Sequence, residues 1–221
     1  MVNKFDIDIK INKEILFEKL KFIKNTESYK NADEIFGELS QIIIDNMKLT
    51  CLYSVVDDIN DLPLFKIIDC KINKIVICFL SSNDIISHII NDFINEGSYL
   101  KGYLLNEIAT YVIFNTSNEM NKEIKRKLLA LGYALTKRYA PGDGGVELKY
   151  QQVILDTLKK DVNIDVHLTE NYMIVPEKSM TYFFGALKIK DNCDNYLNEN
   201  NYNNKSCRDC TKLNCQYRNI Q

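Results

Sequence analysis

The sequence predicts an α+β fold, in which a mixed or antiparallel twisted sheet carries several flanking helices. Segments with apolar residues at every second position, typical of strands, occur near the start, the middle and the end of the chain. Amphipathic helical segments lie in groups between them. This order differs from the regular strand–helix alternation of parallel α/β proteins, and no internal repeat is present.

Composition argues for a globular protein that does not bind nucleic acid. The 221 residues include 28 Lys and Arg against 30 Asp and Glu, which makes the formal net charge −2. A nucleic-acid surface needs clustered basic residues. No apolar run reaches the ~18 residues of a membrane span, and the first residues lack the apolar core of a signal peptide. We therefore expect a cytoplasmic protein with no membrane partner and with reduced cysteines.

The first half of the chain is predicted to contain two helices and three strands. A period-two pattern predicts a strand at residues 5–11, after which Asn12 is placed to cap a short helix. An amphipathic stripe predicts a second helix at residues 31–47. Residues 49–56 and 75–80 are predicted strands. The second is apolar throughout, which favours a central position in the sheet.

The middle of the chain is predicted to be helical. Ser82 or Asn83 is placed to cap a helix that ends at Gly97. A long helical stretch at residues 99–137 is predicted to break near residues 116–118, where a capping pattern occurs.

The last third begins with a turn at Pro141 and a predicted helix at residues 148–160. Two strands, at residues 164–168 and 180–189, are expected to pair with each other. The chain then becomes polar and rich in Asn. We predict one domain at residues 1–190 and a spacer with a cysteine tail at residues 191–221.

A turn with a permanent positive charge at its start occupies residues 138–145, Arg-Tyr-Ala-Pro-Gly-Asp-Gly-Gly. The planar guanidinium of Arg138 can hold a carboxylate through two parallel hydrogen bonds. Pro141 and Gly142 favour a tight turn, and Gly144 and Gly145 leave the backbone open to a ligand. Taken alone, such a turn is more often an ordinary loop.

A second segment, Leu-Thr-Glu-Asn-Tyr-Met-Ile-Val-Pro at residues 168–176, follows a predicted strand. Alternation along a strand would place Glu170 and Tyr172 on one face. Tyr172 could stack on an adenine or lie over a sulfonium, and Glu170 could accept hydrogen bonds from ribose hydroxyls or an ammonium. The alternative is a strand end with an exposed Glu and a half-buried Tyr.

Together the two segments resemble the S-adenosylmethionine-binding motifs of the activation domain of cobalamin-dependent methionine synthase. The pattern is Arg-x-Ala-Pro-Gly followed by Leu-Thr-Glu-x-Tyr-x-x-x-Pro-x-x-Ser, within residues 135–190. A fainter likeness links residues 12–22 to the start of small standalone relatives of that domain. The resemblance implies a domain that presents S-adenosylmethionine to the cobalt of an inactive cobalamin, after which an electron from a reductase allows methyl transfer.

The resemblance also implies roles for individual residues. Arg138 would hold the methionine carboxylate, Ala140 and Gly142 would supply backbone contacts, and Tyr172 would contact the ligand. Asp143 stands where the family has a tyrosine, and an aspartate there can pair with the ammonium or sulfonium instead. Because the reaction needs positioning rather than a general base, we assign no catalytic residue.

Four cysteines of the tail are predicted to bind a metal: Cys193, Cys207, Cys210 and Cys215. The Cys207-x-x-Cys210 pair can grip one ion from a tight turn, and four thiolates suit zinc or an iron–sulfur cluster. Redox-active or free thiols are the alternative. The other three cysteines lie in or beside apolar runs and are expected to be small buried hydrophobes: Cys51, Cys70 and Cys78.

The main hypothesis is therefore an S-adenosylmethionine-binding protein that supports reductive methylation of the cobalamin of methionine synthase. It would contribute to that methyltransferase activity rather than act as an independent enzyme. Its partners would be a cobalamin-binding methionine synthase or another corrinoid protein, and an electron donor such as flavodoxin or ferredoxin. One alternative is a module that binds a corrinoid protein without S-adenosylmethionine. Another is a metal or iron–sulfur electron-transfer protein.

Overall fold

A computed structural model describes residues 1–6, 8–60, 62–68 and 70–189. The helices are α1 Lys13–Lys19, α2 Glu27–Asn46, α3 Ile85–Asn95, α4 Tyr99–Ala130 and α5 Tyr150–Lys159. The strands are β1 Val2–Lys4, β2 Leu49–Val56, β3 Lys74–Ser82, β4 Tyr133–Leu135, β5 His167–Leu168, β6 Ile174–Val175 and β7 Ser179–Lys188. A short 3₁₀ helix spans Pro63–Ile67. The predicted α+β class is confirmed.

The main sheet has the strand order β1-β2-β3-β7-β4, and every neighbouring pair is antiparallel. As its apolar sequence predicted, β3 is central, and every residue of it after Lys74 is buried. The strands are in register across the sheet, so that Tyr53 pairs with Cys78 and Cys78 pairs with Tyr182. β5 and β6 form a separate two-stranded sheet.

Each face of the main sheet buries its own apolar cluster. On the first, which we call the α4 face, the second half of α4 covers a cluster that includes Cys51, Cys78, Met120, Ile124 and Tyr182. On the second, which we call the α5 face, α5 and the 3₁₀ helix cover a cluster that includes Leu64, Ile77, Phe79, Ile154 and Phe183. The alternation of side chains along a strand separates the two sets.

A third cluster joins α1, α2 and α3 to the first half of α4. Its aromatic centre is Phe17, whose ring meets the rings of Phe22, Tyr29 and Phe36. The predicted cap at Asn12 is confirmed, since its Oδ1 accepts from the Ile15 amide at 2.9 Å. α2 begins before the predicted residue 31 because the Thr26 hydroxyl accepts from the Tyr29 amide and caps it earlier.

The predicted break in the long helix is wrong. α4 runs without interruption from Tyr99 to Ala130, and Thr116 and Ser117 are buried inside it. The Ser117 hydroxyl donates to the Tyr182 hydroxyl of β7 at 3.2 Å and does not cap a new helix. The prediction was also wrong in extending the helix to residue 137. Gly132 leaves the helix with a φ of +79°, and β4 follows.

Three other local predictions differ from the structure. The first strand is Val2–Lys4 rather than residues 5–11, and Phe5 adds only one backbone bond, to Cys51. Residues 164–168 do not pair with residues 180–189, because β5 pairs with β6 while β7 lies between β3 and β4. The N-cap of α3 is Asp84 instead of Ser82 or Asn83, since the Asn83 side chain is bonded to Lys48 and Asn46.

Cys51 and Cys78 are buried as predicted, and Cys70 is half-buried. No helix in the described part of the chain is long and apolar enough to cross a membrane. The predicted tail at residues 191–221 lies outside the described residues.

Candidate functional site

The free edge of the sheet beyond β4 contains a β-bulge. Thr136 donates its amide to the Gly185 carbonyl at 2.9 Å, in the register of β4 and β7. Three residues later, Tyr139 exchanges two backbone bonds of 2.9 Å with Phe183. Two residues of the edge, Lys137 and Arg138, therefore lie opposite one residue of β7.

The bulge decides which face of the sheet Arg138 approaches. Had the β4 register continued, Arg138 would lie opposite Phe183 and share the α5 face with it. With the bulge, Tyr139 takes that place and stacks on Phe183, with centroids 5.4 Å apart. Arg138 and Ala140 reach the α4 face instead, where Arg138 lies against Tyr182.

Two residues distant in sequence hold the bulge. The Thr136 hydroxyl accepts from the Gly185 amide at 2.8 Å, in place of a ladder bond. Gly185 has no room for a side chain, because a Cβ there would lie 2.6 Å from Ile72 Cγ2 and 3.0 Å from Thr136 Cγ2. A glycine on β7 is thus required where the edge strand approaches it.

Arg138 is half-buried over an aromatic ring. Its Cζ lies 5.3 Å from the centroid of Tyr182. The Tyr182 hydroxyl donates to Asn121 Oδ1 at 2.8 Å and accepts from Ser117 at 3.2 Å. Burial raises the pKa of Tyr182 well above its ordinary value, so the phenol stays neutral.

No carboxylate pairs with Arg138 among the residues that the structure describes. The ion pairs of the described chain involve other cations, and the hydrogen bonds leave the guanidinium donors unused. A half-buried guanidinium with unused donors is suited to an anionic ligand, and a carboxylate fits its fork with two bonds.

Residues 140–146, which we call the Pro-Gly turn, follow directly. The Gly142 amide donates to the Val146 carbonyl at 2.8 Å, and the Asp143 amide donates to the Ala140 carbonyl at 3.0 Å. Gly142, Gly144 and Gly145 have φ values of +86°, +56° and +83°. Residues 142–145 are exposed, so the turn presents its backbone and the Asp143 carboxylate at the surface.

Residues 169–173, which we call the Tyr172 turn, form a closed loop rather than a strand end. Thr169 and Met173 are joined by two bonds, from the Thr169 amide to the Met173 carbonyl and from the Met173 amide to the Thr169 hydroxyl. Tyr172 has a φ of +62°. Strand alternation therefore does not apply, and the expectation that it places Glu170 and Tyr172 on one face is wrong.

The two turns approach the same end of β7. Gln151 of α5 donates to the Tyr172 carbonyl at 2.8 Å and lies 3.5 Å from Thr181, near the start of β7. The edge segment also runs toward this end, since it is antiparallel to β7 beyond Tyr139.

Arg138 and the Tyr172 turn, however, are not joined by a hydrogen bond or an ion pair among the described residues. Arg138 reaches the α4 face, whereas the Tyr172 turn is attached to α5 on the other side. No hydrogen bond or ion pair joins Arg138 to Glu170 or Tyr172, two side chains that are exposed among the described residues. On α5's N-terminal side, Glu147 raises the pKa of Lys149, with smaller contributions from Tyr150 and Tyr172.

Sequence reasoning missed the residues that support the site: Thr136, Ser117, Asn121, Gln151, Tyr182 and Gly185. Each acts through a partner far along the chain, and no local pattern marks it. The one available signal was Gly185, an isolated glycine inside an aromatic strand pattern, which indicates a bulge or a close backbone approach.

A cavity of about 290 Å³ lies near the opposite edge of the sheet. It is lined by Phe5, Asp6, Asp8, Ile9, Met47, Leu49 and Cys51. Cys51 belongs to the cluster of the α4 face, but β3 and β7 separate its strand from the edge that carries Arg138. Three strand spacings amount to about 14 Å, so the cavity and the guanidinium are distinct features.

The predicted metal ligands are Cys193, Cys207, Cys210 and Cys215, and they lie outside the described residues. Within the described part of the chain, no group of three or more His, Cys, Asp or Glu side chains is placed to hold a metal ion.

Comparison with solved structures identifies a fold. The chain is similar to the crystal structure of the MetH reactivation domain bound to AdoHcy, with a TM-score of 0.60 and 10% sequence identity. The match covers 84% of this chain and 78% of that one. No protein-family model and no curated protein matches the sequence. The protein therefore has the fold of a methionine synthase reactivation domain.

Proposed function

We propose that this protein binds S-adenosylmethionine and supports the reductive methylation of a cobalamin held by a partner, which is a methionine synthase or another corrinoid protein. The observation that carries the proposal is the guanidinium of Arg138, which is held over Tyr182 at the edge of this fold and pairs with no carboxylate of the described residues. The similar reactivation domain was solved with AdoHcy, the demethylated form of the same ligand. Fold likeness and site chemistry therefore favour the same class of ligand.

In this proposal Arg138 binds the methionine carboxylate through two parallel hydrogen bonds. The backbone at Ala140 and Gly142 contacts the ligand, and the exposed Asp143 carboxylate pairs with its ammonium or sulfonium. Glu170 and Tyr172 would reach the ligand from the neighbouring turn. The sulfonium supplies the methyl group, and the cobalt and its electron donor, such as flavodoxin or ferredoxin, belong to other proteins. The role of this chain is to orient the methyl group.

A calorimetric titration with S-adenosylmethionine tests the proposal. We expect saturable one-to-one binding, weakened about tenfold to hundredfold in Arg138→Ala, because charged hydrogen bonds are lost. Lys137→Ala is the matched control: it removes one positive charge from the adjacent residue, whose ammonium lies over Tyr139 instead. Its affinity should stay near that of the wild type. Equal affinities for all three proteins would reject Arg138 as the carboxylate site.

A pull-down with the corrinoid-carrying protein separates this function from the alternative of a binding module. Reactivation requires a ternary complex, so S-adenosylmethionine should be bound while the partner is held. Partner binding by a protein that never takes the ligand, alone or in the complex, would favour the module. The exposed Asp143 is the observation on which that alternative rests.

A further inference from the structure

One buried side chain connects the two turns of the candidate site. Gln151 lies in the first helical turn of α5 and is 7% exposed. Its Nε2 donates to the Tyr172 carbonyl at 2.8 Å, and its Oε1 accepts from the Thr181 hydroxyl at 3.5 Å. Because the donor and the acceptor of the amide both have partners, its orientation is determined.

The same helical turn also touches the Pro-Gly turn. A Cβ on Gly142 would lie 3.1 Å from Leu148 Cδ1, which shows how closely the leucine packs on this glycine. Leu148 precedes Gln151 by three residues, and the Gln151 amide donates to the Leu148 carbonyl at 3.0 Å. Residues three apart in a helical turn share one side. The turn that leads into α5 thus contacts the Pro-Gly turn through Leu148, and the first turn of α5 contacts the Tyr172 turn through Gln151.

The Tyr172 turn needs such support. A tyrosine with a φ of +62° is unfavourable and persists only where its surroundings hold it. Within the turn, the Tyr172 amide donates to the Thr169 carbonyl at 2.9 Å. Outside the turn, Gln151 provides the bond to the Tyr172 carbonyl.

We propose that Gln151 is a positioning residue that fixes the Tyr172 turn relative to the Pro-Gly turn, so that both turns move as one unit. The expected effect of Gln151 on ligand affinity rests on the proposed function. The coupling between the two turns is independent of that function, and it is measured without any ligand.

Hydrogen exchange of the full chain tests the positioning role. In Gln151→Met we expect about tenfold faster exchange at the amides of Thr169, Tyr172 and Met173, because the Tyr172 carbonyl loses its donor. Gln152→Met is the matched control, since the side chain of this neighbouring glutamine is exposed and, within the described part of the chain, bonds to Asp156 of its own helix. Exchange equal to wild type in Gln151→Met, or acceleration that extends equally to the amides of β3, would overturn the proposal.

A pair of glycine variants tests the coupling. Gly142→Ala and Gly145→Ala impose similar backbone strain, at φ values of +86° and +83°. The Cβ added at Gly142 would lie 3.1 Å from Leu148 Cδ1, whereas the Cβ added at Gly145 would have no described atom within 4 Å. We expect Gly142→Ala to accelerate exchange in the Tyr172 turn several-fold and Gly145→Ala to leave it unchanged. Unchanged exchange in both variants would show that the turns are independent and would contradict the proposal.

Titration with S-adenosylmethionine then separates the two proposals. If the wild type binds, Gln151→Met should bind about tenfold more weakly while Gln152→Met binds normally. Equal affinity of Gln151→Met and wild type would overturn the role of Gln151 in the ligand site. If the wild type takes the ligand neither alone nor with its partner, the proposed function fails, and the exchange experiments still decide whether Gln151 positions the turn.

Discussion

The guanidinium of Arg138 lies across the ring of Tyr182, with 5.3 Å between Cζ and the ring centroid. The ring is almost fully buried, and Ser117 and Asn121 of α4 hold its hydroxyl. A contact between a cation and an aromatic ring takes up no hydrogen-bond acceptor, whereas an ion pair would occupy the guanidinium N–H groups. Tyr182 therefore orients Arg138 without using its hydrogen-bond donors.

Two substitutions of Tyr182 should separate the ring from the hydroxyl. Tyr182→Phe loses the bonds to Asn121 and Ser117, which we expect to lower the free energy of unfolding by about 1–2 kcal/mol. The affinity for S-adenosylmethionine should change little, since the ring remains beneath Arg138. Tyr182→Leu should lower both the free energy of unfolding and the affinity, because it also removes the ring. Urea unfolding and calorimetry measure the two effects, and an equal loss of affinity in both variants would contradict the role of the ring.

Gly185→Ala should destabilise the protein by about 1–3 kcal/mol, because the added methyl group would overlap Ile72 and press on Thr136. Gly37→Ala is the control, since nothing lies within 4 Å of the Cβ position in the middle of α2. That variant should gain about 0.5–1 kcal/mol through its higher helix propensity. Thermal unfolding distinguishes the two. An unchanged unfolding temperature in Gly185→Ala would mean that the crowding at Gly185 is relieved without cost.

Stability should fall in alkaline solution. Burial, with a smaller contribution from Asp6, raises the pKa of the Cys51 thiol to about 12, whereas a cysteine in the unfolded chain ionises at about 8.5. Between these values the unfolded state has released the proton and the folded state has retained it, so stability present below about 8.5 is lost as the pH rises toward 12. Cys51→Ala should show a shallower decline of the urea midpoint with pH. The same slope in both proteins would refute this origin.

The four cysteines of the tail lead us to expect a bound metal in anaerobically purified protein. Replacing Cys207 and Cys210 together by serine should lower the metal content at least severalfold, because a tetrahedral site loses two of its four thiolates. Cys70→Ser, a change at a half-buried cysteine of the folded domain, should leave it unchanged. Elemental analysis and sulfide determination provide the measurement. Zinc without iron or sulfide would eliminate the electron-relay alternative, and no metal in the wild type would leave the free-thiol interpretation.

Local signals predicted the parts of the fold that depend on neighbouring residues. The cap at Asn12 and the central position of β3 could be predicted because a side chain three residues from an amide, or an uninterrupted apolar run, determines them. The bulge could not be predicted in this way. It depends on a bond between Thr136 and Gly185, which are 49 residues apart, and so does the face on which Arg138 lies.

The false helix break has the same physical origin. Thr116 and Ser117 fit a capping pattern, since their hydroxyls can bond to nearby amides. In the folded chain Ser117 bonds to Tyr182, 65 residues away, and the helix continues through it. Similarly, the Tyr172 turn has a backbone conformation that tyrosine does not favour, and its outside support comes from Gln151. In these two cases the prediction failed because a distant partner outweighed a local preference.

The continuity of α4 has a mechanical consequence. Its 32 residues make a rod of about 48 Å, embedded at one end among α1, α2 and α3 and lying at the other on the sheet. A rod of this kind transmits displacement rather than absorbing it. A displacement of the end that packs on α1, α2 and α3 would move Ser117 and Asn121. Their bonds to the Tyr182 hydroxyl would shift that ring, and with it the orientation of the Arg138 guanidinium above the ring.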